Sequence, residues 1–175
     1  MKLKKTKFKN TFIIENKKKN DRRGFFMRGY CQNVIKMKGI NFKVKQTNFS
    51  FNKKKLTLRG FHYQNYPHAE NKIITCIKGK ILLVLLNINK KSSNYLKHIK
   101  IQLSSNMNKS VLVSKECATA FLTLEKETLV FYYMSNYYKK NKSMGIKYND
   151  PKLKIKWPFK PKIISERDLK FNKLF

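Results

Sequence analysis

Apolar and polar residues alternate with a period of two over long stretches of this chain, as in Phe42-Lys43-Val44-Lys45 and Ile99-Lys100-Ile101-Gln102-Leu103. That period belongs to strands with one face buried. Residues 128–134 (TLVFYYM) are β-branched and aromatic and predict another strand. Residues 111–113 and 121–124 predict two more around a short connection. Residues 72–77, then Lys78-Gly79-Lys80, then residues 81–86 (ILLVLL) predict a hairpin turning at Gly79. Its second arm is apolar on both faces, which marks an interior strand. Further on, Asp150-Pro151 and Trp157-Pro158 punctuate a loop-rich segment, and Ser165-Glu166-Arg167-Asp168 has the form of a helix N-cap. The pattern predicts an all-β sandwich or barrel with a short C-terminal helix. No repeat or long polar linker divides the sequence, so residues 1–175 are expected to form one domain, with residues 1–20 a basic N-terminal segment. The lysine runs at 17–19 and 53–55 are expected to be solvated turns.

Charge changes the picture less than its size suggests. Lys and Arg number 41 against 9 Asp and Glu, a formal net charge of +32, which raises the prospect of a polyanionic partner. Yet the arginines are only Arg22, Arg23, Arg28, Arg59 and Arg167, so most of the charge is lysine at permissive surface positions. A hydrophobic fraction of 41% with 13% aromatics excludes a disordered basic tail. The longest apolar run, residues 81–86, is far short of the roughly 20 residues a membrane helix needs. Residues 12–14 are too short for the core of a signal peptide. Cys31, Cys76 and Cys117 are odd in number and form no CxxC pair, so neither a disulfide framework nor a zinc ribbon is expected. A cytoplasmic protein with no membrane association follows as the expectation. His68 and His98 lack carboxylates at ligand spacing, and no metal site is expected.

Candidate chemistry lies in the middle of the chain. In Leu58-Arg59-Gly60-Phe61-His62-Tyr63-Gln64, a period of two sets Gly60, His62 and Gln64 on one face. Taken singly, each candidate has an ordinary reading. His62 is one histidine on a strand, Lys72 is one lysine among many, and Tyr132 belongs to an aromatic stripe of the kind that packs cores.

Taken together, the segments resemble the dTDP-4-dehydrorhamnose 3,5-epimerase family over about residues 21 to 170. The resemblance rests on Asp21-Arg22-Arg23-Gly24-Phe25-Phe26, Gln46-Thr47-Asn48-Phe49-Ser50, residues 58–64, Glu70-Asn71-Lys72 and Gly79. It continues through Tyr137-Tyr138, Tyr148-Asn149-Asp150-Pro151, Trp157-Pro158 and residues 165–168. The resemblance implies a cupin-type jelly roll and a homodimer whose pockets are each completed by N-terminal residues of the neighbour. It also implies an isomerase without a cofactor, acting on a nucleotide-diphosphate-linked 4-keto-6-deoxy sugar. A 4-keto group acidifies the C–H bonds at C3 and C5, so a positioned base can remove one of those protons. His62 matches the family's base and Asp168 the carboxylate that orients it. Lys72 matches the cation beside the enolate oxygen, and Tyr132 the acid that returns a proton from the opposite ring face. Arg59 and Arg23 match diphosphate-binding arginines, Arg23 reaching across the dimer. Gln46, Asn48, Phe26 and Tyr138 match pocket residues, Phe26 near the nucleobase.

The departures lie in the same region. Leu83 and Thr119 stand where the family usually has an aspartate and a histidine, and Arg28 where it has a glutamate. These leave the sugar and the nucleobase open. Two rival readings are a sugar-nucleotide-binding cupin without this activity and a basic β protein that binds nucleic acid. The second explains the charge alone, and no nucleic-acid partner is expected.

Overall fold

The computed structural model describes residues 1–174. In chain order the elements are β1 (Lys2–Lys5), β2 (Phe12–Glu15), β3 (Lys18–Asp21), β4 (Gly24–Met27), α1 (Gln32–Lys36), β5 (Gln46–Asn52), β6 (Leu58–Gln64) and β7 (Lys72–Lys78). They continue with β8 (Lys80–Asn87), β9 (His98–Ser104), β10 (Lys109–Val113), β11 (Cys117–Thr123), β12 (Thr128–Met134), β13 (Ser143–Gly145) and α2 (Glu166–Leu169). A six-stranded sheet has the order β1-β2-β10-β7-β12-β5 and a five-stranded sheet the order β13-β6-β11-β8-β9. Their ladders are antiparallel. The two sheets pack face to face in a cupin-type jelly roll. β3 and β4 form a separate two-stranded hairpin.

The core follows from the alternation. Ile74, Cys76, Val111, Val113 and Val130 of the six-stranded sheet meet Ile81, Leu83, Leu85, Leu103 and Phe121 of the five-stranded one. Each such side chain contributes about 1.5–3 kcal/mol on leaving water. β8 is interior, as its two apolar faces predict. Leu83 and Leu85 point between the sheets, while Val84 and Leu86 join Phe61, Ala118 and Ala120 beneath the C-terminal segment with Ile146, Leu153 and Trp157. On the far side, Ile35 of α1, Ile40, Phe42 and Tyr30 cover Phe12, Ile14, Ile73 and Leu112.

Four expectations from the sequence need correction. Residues 72–78 and 80–87 are not a hairpin. β7 pairs with β10 and β12, β8 pairs with β11 and β9, and Gly79 turns the chain from one sheet into the other. An apolar strand after a glycine turn fits either arrangement, and only packing distinguishes them. Residues 42–45 form no strand, because Phe42 is used as a plug on the outer face of the six-stranded sheet and Val44 is exposed. Lys18 and Lys19 lie in β3 rather than in a turn, whereas Lys53, Lys54 and Lys55 are exposed in a turn as expected. The fourth concerns β6. Its pairing with β11 runs Thr119 to His62 but Phe121 to Arg59, so Gly60 and Phe61 together oppose Ala120. This bulge shifts the face on which later residues emerge. Only glycine fits at its first position. Gly60 has φ +115°, and a Cβ there would lie 2.4 Å from the carbonyl oxygen of Thr119. Residues 1–20, basic in sequence, supply β1 and β2 to the larger sheet and begin the β3–β4 hairpin.

Candidate active site

A cavity of about 260 Å³ opens between the sheets, and both contribute side chains to it. From the five-stranded sheet come Arg59, His62 and Gln64 of β6, Leu83 of β8 and Thr119 and Phe121 of β11. The β6 bulge is what lets Arg59 and His62, three residues apart, share this cavity. From the six-stranded sheet come Lys72 and Ile74 of β7 and Tyr132 and Met134 of β12. At that sheet's edge, β5 presents half-buried Gln46, Asn48 and Ser50 to the cavity together with the largely exposed Phe49, while Thr47 and Phe51 are exposed. Tyr138 lines the mouth. His62 and Tyr132 therefore stand on opposite walls.

His62 is oriented from behind. Its Nε2 lies 2.8 Å from Oδ1 of Asp168, whose Oδ2 accepts a 2.9 Å hydrogen bond from the Gly60 N–H. Asp168 is placed by the cap of α2, where its own N–H donates to Oγ of Ser165. The His62 side chain is 36% exposed and the Asp168 side chain 4%. With Nε2 held, Nδ1 is the nitrogen left to exchange a proton in the cavity. Burial pushes the Asp168 carboxyl up, but the hydrogen bond and charge of His62 and the N–H of Gly60 outweigh it and hold the group below the usual carboxylate range.

That depression carries a pH dependence. The carboxylate's contribution is present above the unfolded-state value, about pH 4, and is lost as pH falls through the lower folded-state value. Asp168→Asn is expected to destabilise the protein at pH 7 by about 1–3 kcal/mol. The gap from the parent should narrow below about pH 4. Chemical denaturation at pH 7 and at pH 3 checks this, and an equal gap at both refutes it.

Lys72, one lysine among many when taken singly and the expected cation beside the enolate oxygen, is 7% exposed. Its Nζ lies 3.2 Å from Oε1 of Glu70, 3.3 Å from the carbonyl oxygen of His62 and 3.4 Å from Oγ1 of Thr119. Glu70 in turn accepts at 2.8 Å from Nε2 of Gln64, which also donates to the carbonyls of His68 and Tyr137. Gln64 Oε1 accepts from the Lys139 N–H, so this one amide ties the loop carrying Tyr138 to the ion pair. Gln46 donates to Asn48 and accepts from the Tyr138 N–H. Arg59 donates through Nε to Asn52 at 2.8 Å. Burial raises the Tyr132 phenol well above its ordinary value, against the opposing influence of Arg59 and a hydrogen bond with Ser50. It is therefore a protonated donor at neutral pH.

Eight of the ten expected site residues thus meet at one place, seven lining the cavity and Asp168 directly behind His62. Arg23 and Phe26 do not. They lie on the β3–β4 hairpin, with Phe26 69% exposed and Arg23 paired with Asp21 at 2.7 Å. Arg28 is exposed in the loop that follows. Leu83 and Thr119, noted as departures, are both on the cavity wall. Sequence reasoning assigned no role to Arg167 or Ser143, which also line the cavity and are joined by a 2.7 Å hydrogen bond. Arg167 sits beside Asp168, and its being one of five arginines was the available signal.

The model of the dTDP-4-dehydrorhamnose 3,5-epimerase family matches residues 5–175. The chain belongs to this family. The family's enzyme from Shigella flexneri is 32% identical over 97% of this chain and 93% of its own length. A dTDP-4-dehydrorhamnose 3,5-epimerase from Bacillus anthracis with TDP and PPi bound superposes with a TM-score of 0.95 at 31% identity, covering 99% of both chains. An epimerase from Legionella pneumophila in complex with dTDP-4-keto-L-rhamnose superposes at 0.91 with 27% identity, over 98% of this chain and 92% of its own. Against this epimerase framework, the inner wall here is apolar at Leu83, Ile74 and Phe121. Thr119 offers a hydroxyl that accepts from Lys72 and donates at 3.4 Å to the His62 carbonyl.

Proposed function

We propose that this protein is an epimerase that inverts C3, C5 or both of a nucleotide-diphosphate-linked 4-keto-6-deoxy sugar, with a dTDP-linked sugar as the first candidate. One observation carries the reading: a histidine backed by a buried carboxylate and a protonated tyrosine face the same cavity from opposite sheets. Nδ1 of His62 takes the proton from the carbon beside the ketone, Asp168 stabilises the imidazolium that forms, and the C–H electron pair moves onto the C4 oxygen as an enolate. Lys72 supplies fixed positive charge to that oxygen. Tyr132 returns a proton from the other ring face, the enolate reverts to the ketone, and the carbon is inverted. The imidazolium and the phenolate then exchange protons with water. Arg59 fits one end of the diphosphate, where a guanidinium matches phosphate geometry. Gln46, Asn48 and Tyr138 fit the rest of the nucleotide.

The β3–β4 hairpin supports a homodimer. It lies outside both sheets and exposes Arg23, Phe25 and Phe26, a combination suited to diphosphate and base in a neighbour's cavity. The nucleotide-sugar substrate class supports a cytoplasmic location. The test is incubation with dTDP-4-keto-6-deoxyglucose in deuterated water. Deuterium at C3 or C5 together with inverted product is the expected result. Nucleotide binding without exchange would leave a sugar-nucleotide binder and overturn the enzymatic reading.

A further inference from the structure

Gly145 of β13 lies directly opposite His62 in the sheet ladder. Its backbone does not adopt the left-handed conformation that favours glycine, so conformation does not explain the residue. Space does: a Cβ at Gly145 would fall 2.1–2.4 Å from the ring edge of Phe171. The same ring meets the His62 imidazole edge to face, with centroids 5.8 Å apart and planes at 80°, and the Arg167 guanidinium lies 5.7 Å from its centroid. Phe171 follows α2 by two residues, and the tail is pinned there by the Lys147 N–H donating to the Asn172 carbonyl.

We propose that Phe171 is a positioning residue for the reaction. The Asp168 bond holds one atom of the imidazole but does not by itself fix the ring's plane, which can still rock about the Cβ–Cγ bond. A rigid aromatic ring packed perpendicular to it restricts that freedom, and Gly145 makes the room for it. Asp168 and Phe171 thus hold the base from two directions, three residues apart on one stretch of chain. The inference rests on the epimerase reading for its kinetic consequence and on geometry alone for its structural one.

Two readouts test it. For exchange and inversion of the sugar nucleotide, Phe171→Ala is expected to lower kcat by about 10- to 100-fold, as misplacement of a reacting group does, with KM changed by less than about twofold. Phe171→Tyr, which keeps the edge, should restore kcat. Gly145→Ala should reproduce the loss in the parent by displacing the ring and add nothing in the Phe171→Ala background. Parental kcat in Phe171→Ala, a loss expressed in KM, or an additive double variant overturns the proposal. The second readout is the proton NMR signal of His62, identified by its disappearance in His62→Asn. It should shift and broaden in Phe171→Ala and Gly145→Ala and stay in place in Phe171→Tyr. An unmoved signal in Phe171→Ala refutes the inference whether or not the enzyme turns over. A missing exchange reaction in the parent refutes the epimerase reading instead.

Discussion

His62→Ala is expected to lower deuterium exchange and epimerisation together by about 10³-fold, within the range a positioned general base contributes. Both must fall because removing the proton precedes every later step. Binding of the nucleoside diphosphate should change little, since the groups assigned to it, Arg59, Gln46 and Asn48, lie elsewhere on the wall. Loss in kcat with binding retained is the signature of an interaction used in the transition state. The alanine variant also strands Asp168, whose side chain is 4% exposed, and is expected to cost about 1–3 kcal/mol of stability. His62→Gln, whose longer side chain carries an amide nitrogen to about the place of the imidazole Nε2 that bonds Asp168, is therefore the companion variant. Its amide can still donate to Asp168 but cannot act as the base, so it should be as inactive and more stable. Activity within threefold of the parent in either would remove His62 from the mechanism.

Tyr132→Phe is expected to separate two measurements that His62→Ala lowers together. Without the phenol no proton returns from the six-stranded sheet's side, and inversion should fall by about 10²–10⁴-fold. Proton removal by His62 and its return to the same face survive, so deuterium should still enter the sugar with configuration retained. The substitution deletes one hydroxyl from a half-buried ring in β12 and leaves the ring's packing against the core cluster in place. Mass spectrometry of recovered substrate in deuterated water, beside chiral analysis of product, makes the comparison. Exchange and inversion falling by the same factor would show that Tyr132 is needed for proton removal, and would overturn its assignment as the returning acid.

The contrast between these variants depends on which sheet each side chain occupies, and that was beyond the reach of the sequence. The strands from β6 to β12 were not. The TLVFYYM run is β12 to the residue, and Ser165 caps α2 through the Asp168 N–H as the N-cap pattern predicts. Such features are local: β-branched and aromatic side chains favour the pleated strand wherever it goes, and a serine hydroxyl reaches an N–H three residues on in any helix. The resemblance to the epimerase family was legible because its segments keep their order along the chain.

What pairs with what is decided at longer range. The turn at Gly79 looks alike whether the next strand returns beside its predecessor or crosses to the other sheet, and the difference arises from packing both faces of β8. Strict alternation placed Gly60 with His62, yet the bulge replaces Gly60 with Arg59 on the cavity wall, because close approach of β11 admits no side chain at that point. The sequence by itself determined the strands from β6 to β12, the cap, the chemical kinds of side chain and the family. Tertiary structure alone decided that Lys72 is buried against Glu70, that Phe171 lies over Gly145 against His62, and that imidazole and phenol oppose one another. Periodicity records which face of a strand leaves water, whereas the partner across the cavity is chosen by the packing of residues far apart in the chain.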